Sequence, residues 1–185
     1  GLIARAFSEM GWQVAAVRTV GDNAADIRAA IEVSMSESDL VVSTGGLGPT
    51  RDDITKGVLM DIFGGTLAED PAVTQNVERI FAERGLTLNA LTRSQAWVPT
   101  SCRVIMNRLG TAPIMWFEHR AHVFVAMPGV PFETRGMLDE VRRHVTEHFG
   151  SAGLIMHREF TVTGISESSL AERLAPFEDA LPDGF

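Results

Sequence analysis

Apolar residues recur along this chain in two rhythms, one helical and one extended, and the changes between them mark the elements. Leu2, Ile3, Ala6, Phe7 and Met10 fall at helical spacing before Gly11, which predicts an opening helix ended by a left-handed turn. Residues 12–20, WQVAAVRTV, lose that period, are rich in β-formers, and predict a buried strand. Helical spacing returns over 24–37 through Ile27, Ala30, Ile31 and Ser34 or Met35, with Asn23 or Asp22 as the cap. DLVVSTGG, from residue 39, predicts a second strand running into a glycine loop, and Ile54, Val58, Leu59 and Ile62 predict a helix over 54–63 stopped by Gly64 and Gly65.

Asp70 followed by Pro71 opens the next helix, since proline at the first helical position loses no needed N–H. Val73, Val77, Ile80 and Phe81 form its apolar face, and Gly85 ends it. Residues 89–102, NALTRSQAWVPTSC, keep no sustained period and predict mixed turns with a short helix. RVIMN, PIMWFEH and HVFVAMPG predict three strands, the last two joined by a tight turn at Arg120 and Ala121. Pro131 starts a helix that turns Leu138, Val141, Val145 and Phe149 inward; LIMHREFTVTG predicts a further strand, and a short helix follows Ser166. Strands alternating with helices imply βαβ crossovers and an α/β fold with a largely parallel sheet. GSAG, residues 150–153, is the linker candidate, so residues 1–150 form one α/β domain and 151–185 begin a small following domain or a C-terminal extension.

Composition narrows the function. A net charge of −8 opposes extended contact with phosphate backbones or anionic lipid, which sets nucleic acid and membranes aside as partners. The single cysteine, Cys102, cannot form an internal disulfide, and no apolar run reaches the roughly 18 residues of a membrane span. A reduced, cytoplasmic setting is the expectation. No basic region followed by an apolar stretch opens the chain, so no signal peptide is expected. A helix comes first where an α/β unit normally opens with a strand, and the chain reads as the middle of something longer.

The candidate chemistry lies in TGGLGPTRDDIT, residues 44–55. A strand that hands over to a helix through such a loop points free backbone N–H groups out of the sheet's carboxyl edge, where open α/β sheets bind ligands and helix starts favour anions. Gly45, Gly46 and Gly48 let the backbone approach a phosphate or carboxylate, and the hydroxyls of Thr44 and Thr50 add donors. Asp52 and Asp53 beside an anion are repulsive unless a divalent cation sits between, or unless one activates a nucleophile. The plainer reading, a helix cap after a glycine turn, stays open, as it does for Asp22. The loop is no Walker A sequence, because Lys56 stands too far beyond Gly48. MPGVP, with Pro128 and Gly129, ends a strand at the same edge, and Glu133 follows in a first helical turn, where the helix dipole alone would also suit it. GTAP offers Gly110, Thr111 and Ala112, unless it is only a turn. His119, His122, His144 and His148 lack metal-site partners, Cys102 lacks an activating base, and Trp12, Trp97 and Trp116 read as packing residues.

TGGLGPTRDDIT resembles the signature of the molybdopterin-binding superfamily, which includes MoaB, MogA and the amino-terminal domain of CinA, the competence/damage-inducible protein. VGDN at 20–23, SQAWVP at 94–99, GTAP at 110–113, MPGVP at 127–131 and TGISESSLAERL at 163–174 agree in order, and the Gly-Pro-Thr form with two acids is similar to CinA. The resemblance implies a three-layer α/β/α sandwich with a mainly parallel sheet. It implies that Asp53 and Asp22 flank a pyrophosphate-bearing ligand as catalytic acids that hold a divalent metal ion, magnesium or similar. It implies metal-dependent hydrolysis of an ADP-ribose-like pyrophosphate, with MogA-like adenylylation of molybdopterin or a non-catalytic ligand-binding and oligomerisation module as alternatives. A small nucleotide or pterin phosphate is the implied partner, and a dimer or trimer the implied assembly. Departures are Ser94 where a basic residue is common, and Ile114 where glycine commonly follows GTAP. The family's first strand and its ligand-facing loop should precede residue 1, so part of the natural protein is expected to be missing here, and CinA proteins often carry an amidase domain further along.

Overall fold

A computed structural model describes residues 1–151 and 159–182. They divide into two compact units, Gly1–Ile155 and Met156–Phe185. In the first, helices α1 (Leu2–Ser8), α2 (Ala24–Glu37), α3 (Thr55–Phe63), α4 (Pro71–Glu83), α5 (Ala90–Arg93) and α6 (Pro131–Phe149) accompany six strands. The strands are β1 (Leu40–Thr44), β2 (Leu67–Glu69), β3 (Trp97–Pro99), β4 (Arg103–Ile105), β5 (Ile114–His119) and β6 (His122–Met127).

The main sheet has the order β1-β6-β5-β4. β1 runs parallel to β6, with Thr44 opposite Met127, so both strands deliver their carboxyl ends to one edge. β5 and β6 form a hairpin closed at Arg120, whose φ of 57° places it in the left-handed region, and β4 pairs antiparallel with β5. Successive residues of these strands serve opposite faces. Ile114 and Trp116 of β5, with Val123, Val125 and Met127 of β6, pack against α1 and α6 through Phe7, Met137, Leu138, Val141 and Val145. Met115, Phe117, Phe124 and Ala126 pack on the other side against Ile27 and Ile31 of α2 and Val58 and Leu59 of α3. That gives three layers, α/β/α. Because both faces are covered, β5 and β6 read as continuous apolar runs in sequence.

The helix boundaries follow from capping chemistry. Asn23, not Asp22, caps α2 and accepts from Ala25 N at 2.8 Å and Asp26 N at 3.3 Å. Asp70 caps α4 through Ala72 N and Val73 N, at 2.8 and 3.0 Å, with Pro71 in the first turn. Gly64 and Gly65 end α3 with φ of 73° and 89°. An Arg28–Asp61 ion pair of 2.9 Å ties α2 to α3.

Two expectations change. Residues 13–20 form no strand: they are exposed and paired with nothing in the sheet, and Val17 is 75% exposed. Trp12 is fixed, since its N–H donates to Phe7 O and its ring meets Phe149 edge-on, and Arg18 pairs with Glu37 of α2. Between those anchors β-forming side chains have no ladder to join, and β-propensity needs neighbours to act. The second change is a small ribbon in which β2 pairs antiparallel with β3, where only turns and a short helix are expected. Here Ala96, fully buried at the end of a 3-10 turn over Ser94–Ala96, joins Val73 and Val77 of α4 in a third apolar cluster.

In the second unit, α7 (Glu167–Glu178) is capped by Ser166, whose hydroxyl accepts from Ser169 N. Residues 154–158 of the strand expected over 154–164 lie outside the described residues, and Glu159–Thr163 are not in a strand.

Candidate ligand-binding groove

Two glycine loops leave the carboxyl ends of the parallel pair β1 and β6 and meet. Gly45 N donates to Met127 O at 3.1 Å, and a Cβ placed on Gly129 would lie 2.9 Å from Gly45 Cα. Only glycine allows that approach at residue 129. Gly46, at φ 67°, turns the chain so close to α3 that an added Cβ would stand 2.9 Å from Thr55 Cβ, while Thr55 N donates to Gly46 O. Leu47, 2% exposed, pins the loop into the core on the α2 and α3 side. The backbone N–H groups of Gly46, Leu47 and Gly48 make no backbone hydrogen bond among the described residues.

The acids of the loop do not cap α3. Its cap is Ile54, which makes no side-chain capping bond. Asp53 Oδ2 instead accepts from Thr50 N at 3.0 Å and from Thr50 Oγ1, while Asp53 N donates to Thr50 O, so residues 50–53 close on themselves. Asp52 is exposed.

The third loop follows β4. Asn107, fully buried, accepts from Leu109 N and Gly110 N through Oδ1 and donates through Nδ2 to Ala112 O and to Glu133 Oε2, the last at 2.7 Å. Asn76 of α4 donates to Asn107 O and Gly110 O. Gly110 packs so tightly against the Glu133 carboxylate that a Cβ there would overlap it. Glu133, 8% exposed in the first turn of α6, therefore buttresses the loop that presents Thr111 and Ala112.

These loops enclose a groove of about 500 Å³ lined by Gly45, Gly46, Gly48, Asp53, Thr111, Ala112, Pro128, Gly129 and Glu133. Gln95 also lines it, 1% exposed, with an Oε1 that has no hydrogen-bond partner among the described residues. An unmatched buried amide of this kind costs roughly 1–3 kcal/mol. Asn76, Asn107 and Gln95 were not among the sequence candidates. The signal available was a polar residue where the flanking pattern is apolar: Asn107 two residues after β4, and Gln95 beside a fully buried alanine.

A scan against family models matches residues 1–148 to a family described as "probable molybdopterin binding domain". A CinA-like protein of Cytophaga hutchinsonii is 39% identical over 180 residues, covering 97% of this chain and 43% of that protein. Another, from Gemmatimonas aurantiaca, is 39% identical over 176 residues, covering 93% and 41%. The crystal structure of the CinA protein of unknown function from Thermoplasma acidophilum superposes with a TM-score of 0.69 at 32% identity, covering 78% of this chain and 84% of that one. The chain belongs to the molybdopterin-binding domain family, in its CinA-like branch.

This CinA-like chain spans about two-fifths of the length of the curated relatives quoted. Its family match ends within α6 and leaves α7 outside. Asp22 and Thr44 line a second, larger groove of about 1000 Å³ between residues 13–22 and β1, so Asp22 does not share the smaller groove with Asp53. Among the described residues no group of three or more His, Cys, Asp or Glu side chains is placed to hold a metal ion. His119 and His122 face each other across the hairpin, and His144 sits between Glu140 and Glu147 on α6. Trp116 is buried with Arg103 over its ring at 4.8 Å, whereas Trp97 is 42% exposed. No described helix is long and apolar enough to cross a membrane.

Proposed function

We propose that this domain binds a nucleotide diphosphate in the groove between residues 44–55, 110–113 and 127–133, and hydrolyses its phosphoanhydride with a divalent cation. ADP-ribose represents the substrate class. The observation that carries this reading is the meeting of Gly45 with Gly129 at the carboxyl ends of two parallel strands. The N–H groups of residues 46–48 make no backbone hydrogen bond among the described residues, which supports a role for them in holding an anion.

The acids fit a cation that arrives with the diphosphate better than a resident one. Magnesium-type ions keep several waters and take one or two carboxylates plus substrate phosphates. Asp53 stands in the groove with Oδ2 bound to Thr50 and Oδ1 outside that pair, which suits such a role. It would hold the ion, and the ion would offset phosphate charge. The chain's own part is to grip the phosphates with amides, to offer the Thr111 hydroxyl, and to exclude bulk water with Pro128 and Ala112. Asp22, the other acid that the family resemblance implies, lines the larger groove and takes no part in this step.

The test is incubation with ADP-ribose and a panel of divalent metals. Water adding across the P–O–P bridge gives AMP and ribose 5-phosphate. The expected result is AMP formed by the wild type, stopped by EDTA, and reduced about a hundredfold in Asp53→Ala. ADP-ribose left intact under every metal overturns the hydrolytic reading. The family description supports a second ligand, molybdopterin, held through its phosphate by the same amides. With ATP added, transfer of AMP from ATP to the molybdopterin phosphate with release of pyrophosphate favours the adenylylating alternative, and binding of either ligand without turnover favours a binding and oligomerisation module.

A further inference from the structure

The groove contains a polar group that the fold leaves unanswered. Gln95 is 1% exposed, and its amide oxygen finds no donor among the described residues. The other polar side chains at this wall each have at least one oxygen engaged: Asn107 Oδ1 by two backbone N–H groups, Glu133 Oε2 by Asn107, and Asp53 Oδ2 by Thr50. Packing does not call for an amide here. The neighbouring Ala96 joins Val73 and Val77 in an apolar cluster, and an apolar side chain of equal length would fill the Gln95 volume without an unmatched oxygen. A buried acceptor kept on a ligand groove points to a donor that comes with the ligand.

We propose that Gln95 is a specificity-determining residue: its carboxamide oxygen accepts a hydrogen bond from a sugar hydroxyl or an exocyclic base N–H of the nucleoside joined to the bound diphosphate. The inference rests on the diphosphate reading of the groove and narrows the ligand class. The diphosphate must be joined to a donor-bearing nucleoside, so inorganic pyrophosphate and lipid diphosphates are poor ligands. A site with a buried acceptor rejects ligands that lack the matching donor, because the acceptor then stays unpaired.

Calorimetric titration of wild type and Gln95→Met with ADP, 2′,3′-dideoxy-ADP and inorganic pyrophosphate, all with magnesium, tests this, together with the melting temperature of each protein without ligand. The expected result is that Gln95→Met melts at or above the wild-type temperature, binds ADP about tenfold more weakly, and binds pyrophosphate unchanged. A residue with a merely structural role would not separate stability from affinity in that way. Wild-type affinity that falls with the dideoxy nucleotide assigns the donor to the sugar; affinity that stays assigns it to the base, and either supports the proposal. Equal ADP affinity in wild type and Gln95→Met overturns it while leaving the diphosphate reading intact. A lower melting temperature with pyrophosphate weakened in parallel also overturns it, as does a wild type that binds ADP no more tightly than pyrophosphate, an arm that needs no variant to fold. Wild-type protein that binds neither compound overturns the diphosphate reading and this inference together.

Discussion

Asn107 Nδ2 donates to Glu133 Oε2 at 2.7 Å in a place that excludes water from both side chains. The bond joins the loop after β4 to the first turn of α6, and Asn107 Oδ1 holds Leu109 and Gly110 at the same time. Glu133 is thus the prop of Thr111 and Ala112. Removing the amide leaves a carboxylate buried with one partner fewer. Asn107→Ala should cost about 3 kcal/mol, at the upper end for an unmatched buried polar group. For a domain of this size that is a fall of about 6–12 °C in melting temperature. Asn107→Asp should be worse than alanine at pH 7, since it sets two carboxylates together, and should recover as pH falls and one of them takes a proton. Thermal melts of the three proteins at pH 5 and pH 7 decide it; an aspartate variant as stable as wild type at pH 7 would show that the bond is not a support.

Gly46 sits where two demands coincide. Its φ of 67° disfavours any side chain, and a Cβ would meet Thr55 on α3. Gly46→Ala should therefore cost at least about 2 kcal/mol, combining left-handed strain with a clash that the helix cannot relieve cheaply. Gly45→Ala, at φ 101° with nothing within 4 Å, carries the strain alone. Urea unfolding should rank wild type above Gly45→Ala, and Gly45→Ala above Gly46→Ala. The reverse order of the two variants would show that the approach to Thr55 does not limit the loop.

Local rules were enough for the parts of this chain that local rules build. Asp70 before Pro71, Asn23 before α2 and Gly64 after α3 mark helix ends because capping acts within four residues. The glycine loop and MPGVP were legible as neighbouring loops at the sheet's carboxyl edge because a strand-to-helix handover fixes where such turns fall. Residues 13–20 show where such reasoning stops. Val14, Val17 and Val20 have the propensity of a strand, yet a strand also needs a paired neighbour, which no local pattern reports. The β2–β3 ribbon failed for the same reason in the opposite sense: its strands are three residues each, too short for a period, and their pairing spans Leu67 to Pro99. Asn107 and Asn76 were invisible as a clamp because their partners lie 26 to 34 residues away.

The proposed function gives Asp53 a second job beside its bond to Thr50, and substitutions can divide the two. Its carboxylate closes the 50–53 turn through Thr50, a structural task that an amide oxygen can partly perform. Its charge is what a cation would need. Asp53→Asn should lose about 1 kcal/mol or less of stability, whereas magnesium-dependent strengthening of ADP binding should disappear. Thr50→Val should do the converse, loosening the turn while leaving the metal dependence in place. Titrating ADP with and without magnesium in each variant checks this. Undiminished metal dependence in Asp53→Asn would remove Asp53 from the cation site and move attention to Asp22 in the larger groove.

Cys102 supplies a pH test of the ribbon end of the domain. Burial first, and the Asp70 carboxylate second, push its thiol from an ordinary 9.0 up to about 11, against the opposing pull of its own backbone hydrogen bond and of Lys56. The folded state thus holds the proton more tightly than the unfolded chain does. Below pH 9 both states are protonated and the contribution to stability is complete; between pH 9 and about 11 the unfolded chain ionises first and the contribution is lost. Lys56 works the other way, because burial lowers its value from 10.5, so its contribution grows as pH rises. Comparing wild type with Cys102→Ala removes the thiol together with its coupling to Lys56 and leaves the lysine's burial in place in both proteins. Urea midpoints measured from pH 8 to pH 11 should fall more steeply in wild type than in Cys102→Ala, and iodoacetamide should label native Cys102 slowly at pH 8 and faster towards pH 11. Parallel midpoint curves for the two proteins, or rapid labelling at pH 8, would place the thiol outside the apolar surroundings that Trp97–Pro99 and α3 are built to provide.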